Sequence, residues 1–385
     1  MAKARTLVVD HRRERNRWGA PADRRRTRAR TGARPGASLL EPVEGFGPNP
    51  GALDMLAYVP RKLAPDSPLV VVLHGCSQDA LGYDASSGWS RLADELGFAV
   101  VFPEQRRANN PGGCFNWFLP AHSARGLGET RSIREMVEHM ATTHAIDRAR
   151  VFVTGLSAGG AMASALLADY PEVFSAGAVI AGLPCGAASS MQEAFRAMSD
   201  PRPRRAEELG DMVRAASPHA GPWPRMLVLH GTADETVAPG NADAIVSQWL
   251  DVHGLSPDEA RGDAVDGHPR MSWTQDGRTV VQQIMVAEMG HGAPLDVGSG
   301  ERKAPFMLDV GLSSTRRIAD FFGISGAQPK GAGSKRATAL ASPSAMEPER
   351  NLPRRTAEPE APLGWPLVTR CGSALDKLLR GFGLR

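Results

Sequence analysis

A serine between glycines, an acid in a loop and a glycine-flanked histidine follow one another along the chain, and together they could carry out acyl transfer. The serine stands in Gly155-Leu156-Ser157-Ala158-Gly159-Gly160, directly after the apolar run VFVT and directly before AMASALLADY, a stretch of helical composition. A serine on a sharp strand-to-helix turn needs small neighbours, because a side chain at Gly155 or Gly159 would clash across the elbow. The same turn puts the Ala158 amide at a helix N-terminus, where it can stabilise a developing oxyanion. Serine is a weak nucleophile at neutral pH, so it needs a base, and the base needs an orienting carboxylate. The run MLVL leads into His230-Gly231-Thr232-Ala233-Asp234-Glu235, and the run ending at Val286 leads into Glu288-Met289-Gly290-His291-Gly292. Ser157 is therefore read as nucleophile, Asp234 as orienting acid and His291 as general acid/base. Glu235 is the neighbouring competitor for the acid, and His268, in the polar stretch DAVDGHPR, reads as a surface residue. One more apolar run, LVVVL, ends in His74-Gly75-Cys76-Ser77. Its glycine lets the chain fold back, so the Cys76 amide is the expected second oxyanion donor, with Ser77 as the alternative and His74 bracing the loop.

These side chains need a scaffold that brings distant positions to one edge. Apolar β-branched runs at residues 69–73, 99–102, 151–154, 176–180, 226–229 and 279–286 are bounded by Gly or Pro, as befits strands buried on both faces of a parallel sheet. Segments of helical period lie between them, at residues 89–96, 133–143, 160–170 and 241–253. The alternation predicts a doubly wound α/β domain with its ligand site at the carboxyl ends of the strands. The order Ser, Asp, His is that of the α/β-hydrolase fold: a mostly parallel sheet, flanking helices and often a small cap insertion. Residues 185–224, with Met191, Phe195, Met198 and Met212, are either that cap or plain helical packing over the sheet. Trp117, Trp223 and Trp273 are candidates for stacking on an apolar substrate.

The chain has 385 residues, with 45 Lys+Arg against 42 Asp+Glu. Residues 1–34 carry 12 basic and 3 acidic side chains, residues 326–385 carry 10 and 5, and the body between them 23 and 34. An acidic body between basic arms excludes a nucleic-acid-binding body and leaves the arms free to contact an anionic surface. The organisation predicted is a disordered basic arm over residues 1–38, a catalytic domain over 39–325, and a Pro/Ala/Gly-rich tail over 326–385. Residues 367–384 of that tail space their leucines at helical intervals, as a short amphipathic helix would. No apolar run approaches the roughly 18–20 residues of a membrane span. No His/Cys/Asp cluster has ligand spacing, so neither a metal nor another cofactor is expected. The N-terminal residues Leu7, Val8 and Val9 run straight into charge, so no secretory leader is readable.

The strings LHGCSQDA, GGCFNWF (Gly112 to Phe118), VTGLSAGGAMA, HGTADETV and GHGAP together resemble the esterases of the polyhydroxybutyrate depolymerase family, which also includes feruloyl and acetylxylan esterases. The resemblance runs over residues 56–322 and implies the same triad, Ser157, Asp234 and His291, with oxyanion stabilisation by the Cys76 and Ala158 amides. It also implies that Asn116 and Trp117 lie near the substrate pocket and that Cys76 and Cys114 lie close together. A disulfide there would require an oxidising compartment, and two free thiols would fit the cytosol; both readings stand. The family is commonly exported, which implies an extracellular or periplasmic location, and the absent leader keeps a cytoplasmic one open. The implied partner is an ester substrate: polyester, oligomer, acylated polysaccharide or small ester. A reading of a different class, an inactive hydrolase-fold protein docked by its basic arms to granules or anionic surfaces, is disfavoured by the complete, ordered triad.

Overall fold

The computed structural model describes residues 38–324; the expected basic arm (up to residue 37), the tail and its amphipathic helix lie outside the described residues. From the start of this region the chain forms β1 (Glu41–Pro42), β2 (Asp54–Tyr58), β3 (Ser67–Leu73), α1 (Ala80–Ser87), α2 (Trp89–Leu96) and β4 (Ala99–Glu104). The next elements are α3 (Pro120–Ser123), α4 (Gly128–Thr143), β5 (Ile146–Leu156), α5 (Ala158–Asp169) and β6 (Ala176–Ile180). Two helices, α6 (Met191–Ser199) and α7 (Ala206–Ala216), then precede β7 (Arg225–Gly231) and α8 (Gly240–His253). The chain closes with β8 (Arg261–Val265), β9 (His268–Gln275), β10 (Arg278–Val286), β11 (Ala293–Leu295), β12 (Met307–Asp309) and α9 (Ser314–Phe322).

Ten strands join in one sheet of order β1-β2-β4-β3-β5-β6-β7-β10-β9-β8. The middle six, from β4 to β10, run parallel. Their unbroken apolar runs follow from burial on both faces. In β3 and β5, Leu69, Val71 and Val153 join the core on one side of the sheet, and Val70, Val72 and Phe152 join the core on the other. Because β3, β5, β7 and β10 point the same way, the loops after them open on one edge, which is where the four sequence motifs meet.

The six expected strands are present, and the sheet extends past them on both sides. β2 pairs antiparallel with β4, and β9 and β8 add an antiparallel ribbon to β10. That ribbon (RGDAV and HPRMSWTQ) is mostly exposed, so it lacks the apolar run by which the central strands were recognised. His268, expected at the surface, opens β9 half-buried, its Nδ1 accepting the Ala287 amide (3.3 Å). Among the described residues no helix is long and apolar enough to cross a membrane.

Candidate active site

β5 runs into α5 through Ser157, whose backbone sits at φ 56° and ψ −116°. Such a conformation is costly for a residue with a Cβ and persists only where its surroundings enforce it. The glycines on either side explain how. A Cβ on Gly155 would overlap the Gly159 carbonyl, and one on Gly159 would overlap the Leu73 and His74 carbonyls of the neighbouring strand end. The chain can therefore turn within the serine itself, and Oγ projects from the strand end.

Ser157 Oγ lies 2.9 Å from His291 Nε2, and His291 Nδ1 lies 2.7 Å from Asp234 Oδ2. With Nδ1–H donating to the carboxylate, Nε2 carries a lone pair aimed at the serine hydroxyl. The other carboxylate oxygen of Asp234 accepts the Thr236 and Val237 amides, each at 2.9 Å. Burial works against the charge on Asp234, but hydrogen bonds from His230 and His291 outweigh it and hold the carboxyl well below its usual range. Nothing in the structure brings Glu235 into this chain of contacts.

His230 was left without a role by the sequence, although it stands four residues before Asp234 in the quoted HGTAD string. It is fully buried at the end of β7, with Nε2 2.9 Å from the Val237 carbonyl and 3.4 Å from Asp234 Oδ2. It thus bears on the same carboxylate oxygen as His291.

The loop after β3 is held just as closely. The Ser77 amide donates to the Gly112 carbonyl (2.8 Å), which commits the alternative donor elsewhere and leaves the Cys76 amide. His74 is fully buried; its Nε2 accepts the Gln105 amide (3.1 Å), so the proton is on Nδ1, which donates to the Gly75 carbonyl (2.7 Å). That carbonyl and the Cys76 N–H belong to one planar peptide, so fixing the oxygen fixes the direction of the N–H. Burial lowers the His74 pKa against the opposing pull of the Gly75 carbonyl, which favours the neutral form this arrangement needs. Cys76 and Cys114 are bonded to each other in the structure (S–S 2.08 Å).

Asn116 and Trp117 separate in the structure. Asn116 is buried, and its side chain is engaged at both ends: Nδ2 donates to Glu129 Oε1 (2.7 Å) and Oδ1 accepts from Asn110 (2.9 Å). Its amide donates to Glu129 Oε2 (2.8 Å), and Gln105 Nε2 donates to Glu129 Oε1 (2.7 Å), so Asn116 belongs to the frame behind the loop. Burial pushes the Glu129 carboxyl up to about 7 despite these donors. Trp117 instead lines a cavity of about 640 Å³ whose wall includes Ala161, Ala165 and Asp169 of α5 together with Pro184, Ala197 and Asn241. The cavity starts one helical turn past Ser157. Free Cys185, its thiol pushed up to about 12 by burial, also faces it. Trp223 and Trp273 do not serve as stacking surfaces there. Trp223 packs edge-on against His219 (5.1 Å between centroids), and Trp273 is buried on β9 with its N–H on the Pro257 carbonyl (3.1 Å).

Residues 53–271 match the family described as esterase PHB depolymerase. The poly(3-hydroxyalkanoate) depolymerase C of Paucimonas lemoignei is 42% identical over 74% of this chain and 70% of its own length. Feruloyl esterase B of Talaromyces stipitatus is 32% identical over 68% of this chain and 74% of its own. Among solved structures, an acetyl xylan esterase from Aspergillus awamori superposes with a TM-score of 0.64 at 26% identity, covering 75% of this chain and all of that one. With the parallel sheet and the loops at its carboxyl edge already in view, these likenesses place the chain in the PHB depolymerase family of esterases, as a carboxylic ester hydrolase of the α/β-hydrolase fold.

Proposed function

We propose that Ser157, His291 and Asp234 are the catalytic triad of this esterase and that its substrates are polyesters or oligomers of hydroxyalkanoic acids. The observation that carries the first half is the unbroken hydrogen-bond chain from Ser157 Oγ through His291 to Asp234 Oδ2 (2.9 and 2.7 Å). Ser157 Oγ attacks the ester carbonyl while His291 Nε2 takes its proton, and the imidazolium is stabilised by Asp234. The Cys76 and Ala158 amides receive the oxyanion. His291 returns the proton to the departing alkoxide, and the acyl-serine is then hydrolysed by water along the same path.

The second half is supported by the higher identity to the hydroxyalkanoate depolymerase (42%) than to the feruloyl esterase (32%). The cavity beside Trp117, whose wall is part apolar and part charged, is the natural place for one side of the ester, with residues 185–224, which carry α6 and α7, acting as its cap. The Cys76–Cys114 disulfide favours a working place outside the reducing cytosol. The basic arms are proposed to contact an anionic surface, and the domain is taken to run over residues 39–325.

The test is hydrolysis of p-nitrophenyl butyrate, a hydroxybutyrate trimer, acetylated xylan and a feruloyl ester. Ser157→Ala is expected to lower kcat by roughly 10⁴-fold or more on every substrate the enzyme accepts. Full activity in that variant refutes the triad, and a preference for the polysaccharide esters over the trimer refutes the substrate.

A further inference from the structure

Phe306 stands out among the exposed apolar side chains. It is 39% exposed and its backbone lies at φ 63°, a region that a bulky L residue rarely adopts. Single exposed apolar residues are common and need no explanation, whereas an exposed phenylalanine held in a costly backbone conformation does. The loop is pinned from several sides. The Phe306 carbonyl accepts the Ala293 amide (2.8 Å), the Met307 amide donates to the Ala304 carbonyl (2.9 Å), and Gln78, in the oxyanion loop, donates to the Pro305 carbonyl (3.2 Å). The consequence of all this is that the ring stands edge-on against His291, with centroids 6.0 Å apart and planes at 74°.

An ester has two arms, and the chemistry says which one passes the histidine. His291 must hand its proton to the oxygen that leaves, so the alcohol arm of the substrate lies on the histidine side of Ser157 in the acylation step. Phe306 is the exposed aromatic side chain packed against that histidine. The large cavity lies elsewhere, along α5 and lined by Trp117, and Phe306 is not part of its wall. Building on the serine-esterase reading above, we propose that Phe306 is a specificity-determining residue that binds the alcohol arm of the ester and favours apolar or aromatic leaving alcohols.

The assignment separates two kinds of selectivity. In a series of butyrates differing only in the alcohol (methyl, ethyl, benzyl, naphthylmethyl), the wild type should favour the larger apolar alcohols in kcat/KM. Phe306→Ala should reduce that preference about tenfold, the equivalent of one good aromatic contact. Phe306→Trp should keep it. In a second series with one alcohol and acyl chains of two to eight carbons, the order of preference should stay that of the wild type. Deacylation should not respond to the alcohol, because the alcohol has already gone when water attacks.

Phe306→Asn guards against a folding artefact, since asparagine tolerates this backbone region. It should lose the alcohol preference with no fall in melting temperature. A change confined to the acyl series, or an unchanged alcohol preference in both Phe306→Ala and Phe306→Asn, overturns the proposal while leaving the esterase reading intact. If the wild type hydrolyses no ester of either series, both readings fall.

Discussion

Replacing Glu129 with glutamine isolates what it means to bury a carboxyl behind the oxyanion loop. Glu129 accepts three hydrogen bonds from Gln105 and Asn116, and burial still pushes its pKa up to about 7. A folded-state pKa above the unfolded value means that the folded protein holds the proton more tightly. The stability this brings is complete below the unfolded pKa and is lost as pH rises through 7. At about 1.36 kcal/mol per unit, the wild type loses roughly 2–3 kcal/mol from this group between pH 5 and pH 8. Glutamine cannot ionise, so that loss disappears. It resembles the protonated acid, except that an amide donor replaces one oxygen and, in the Oε2 position, meets the Asn116 backbone amide, at a cost of about 1 kcal/mol. Glu129→Gln should therefore be slightly less stable than wild type at pH 5 and equal or more stable at pH 8. Urea unfolding at both pH values, with the disulfide intact, reads the difference. Asp169 and Glu301, also pushed up to about 7 by burial, titrate in both proteins and drop out of the comparison. An equal deficit at pH 5 and pH 8 would refute the reasoning.

Two further substitutions probe the frame of the site. Cys76→Ser/Cys114→Ser opens a link between residues 38 apart in sequence, worth about 4 kcal/mol in chain entropy, and urea unfolding should show a loss of that order. Because the bond tethers the Cys76 amide, steady-state kinetics of the double variant should show kcat falling more than KM rises. Gly159→Ala would drive a methyl group into the Leu73 and His74 carbonyls, which are backbone and cannot swing away, so a loss of roughly 3 kcal/mol or more is expected by thermal unfolding. A variant as stable as wild type would mean that the elbow relaxes in a way this packing does not allow.

The central strands, and the three side chains that the fold hydrogen-bonds together and that are proposed as the triad, stand out in the chain because both depend on local pattern. A parallel strand buried on two faces is a continuous apolar run, and an elbow serine needs glycines at fixed offsets. Phe306 carries no such pattern: Lys303-Ala304-Pro305-Phe306 looks like any surface turn until the fold brings it against His291, fifteen positions earlier. Glu129 is equally silent. It opens a helix whose other acids, Glu135 and Glu138, pair with arginines, and only the packing of α4 against the 105–118 segment shows that its carboxyl is enclosed. Asn116 and Trp117 were both placed near the pocket by the resemblance, yet they open a turn closed by the Leu119 amide on the Asn116 carbonyl (3.0 Å), and one of them became frame while the other became wall. His230 could have been noticed from its spacing to Asp234. Its contact with the carboxylate depends on how the loop after β7 closes, and spacing does not specify that.

The burial of Cys185 has a consequence for the bond beside the oxyanion loop. Disulfides rearrange by attack of a thiolate, and burial pushes the Cys185 thiol up to about 12, so the protonated form dominates at pH 7. The backbone of Cys185 is in addition clamped through Gln248 by hydrogen bonds of 3.0 Å at both the amide and the carbonyl. Among the described cysteines, exchange of the Cys76–Cys114 bond toward Cys185 is thus disfavoured once the domain has folded. Cys185 can therefore stand on the wall of the cavity that α5 also lines with little risk to the Cys76–Cys114 cross-link.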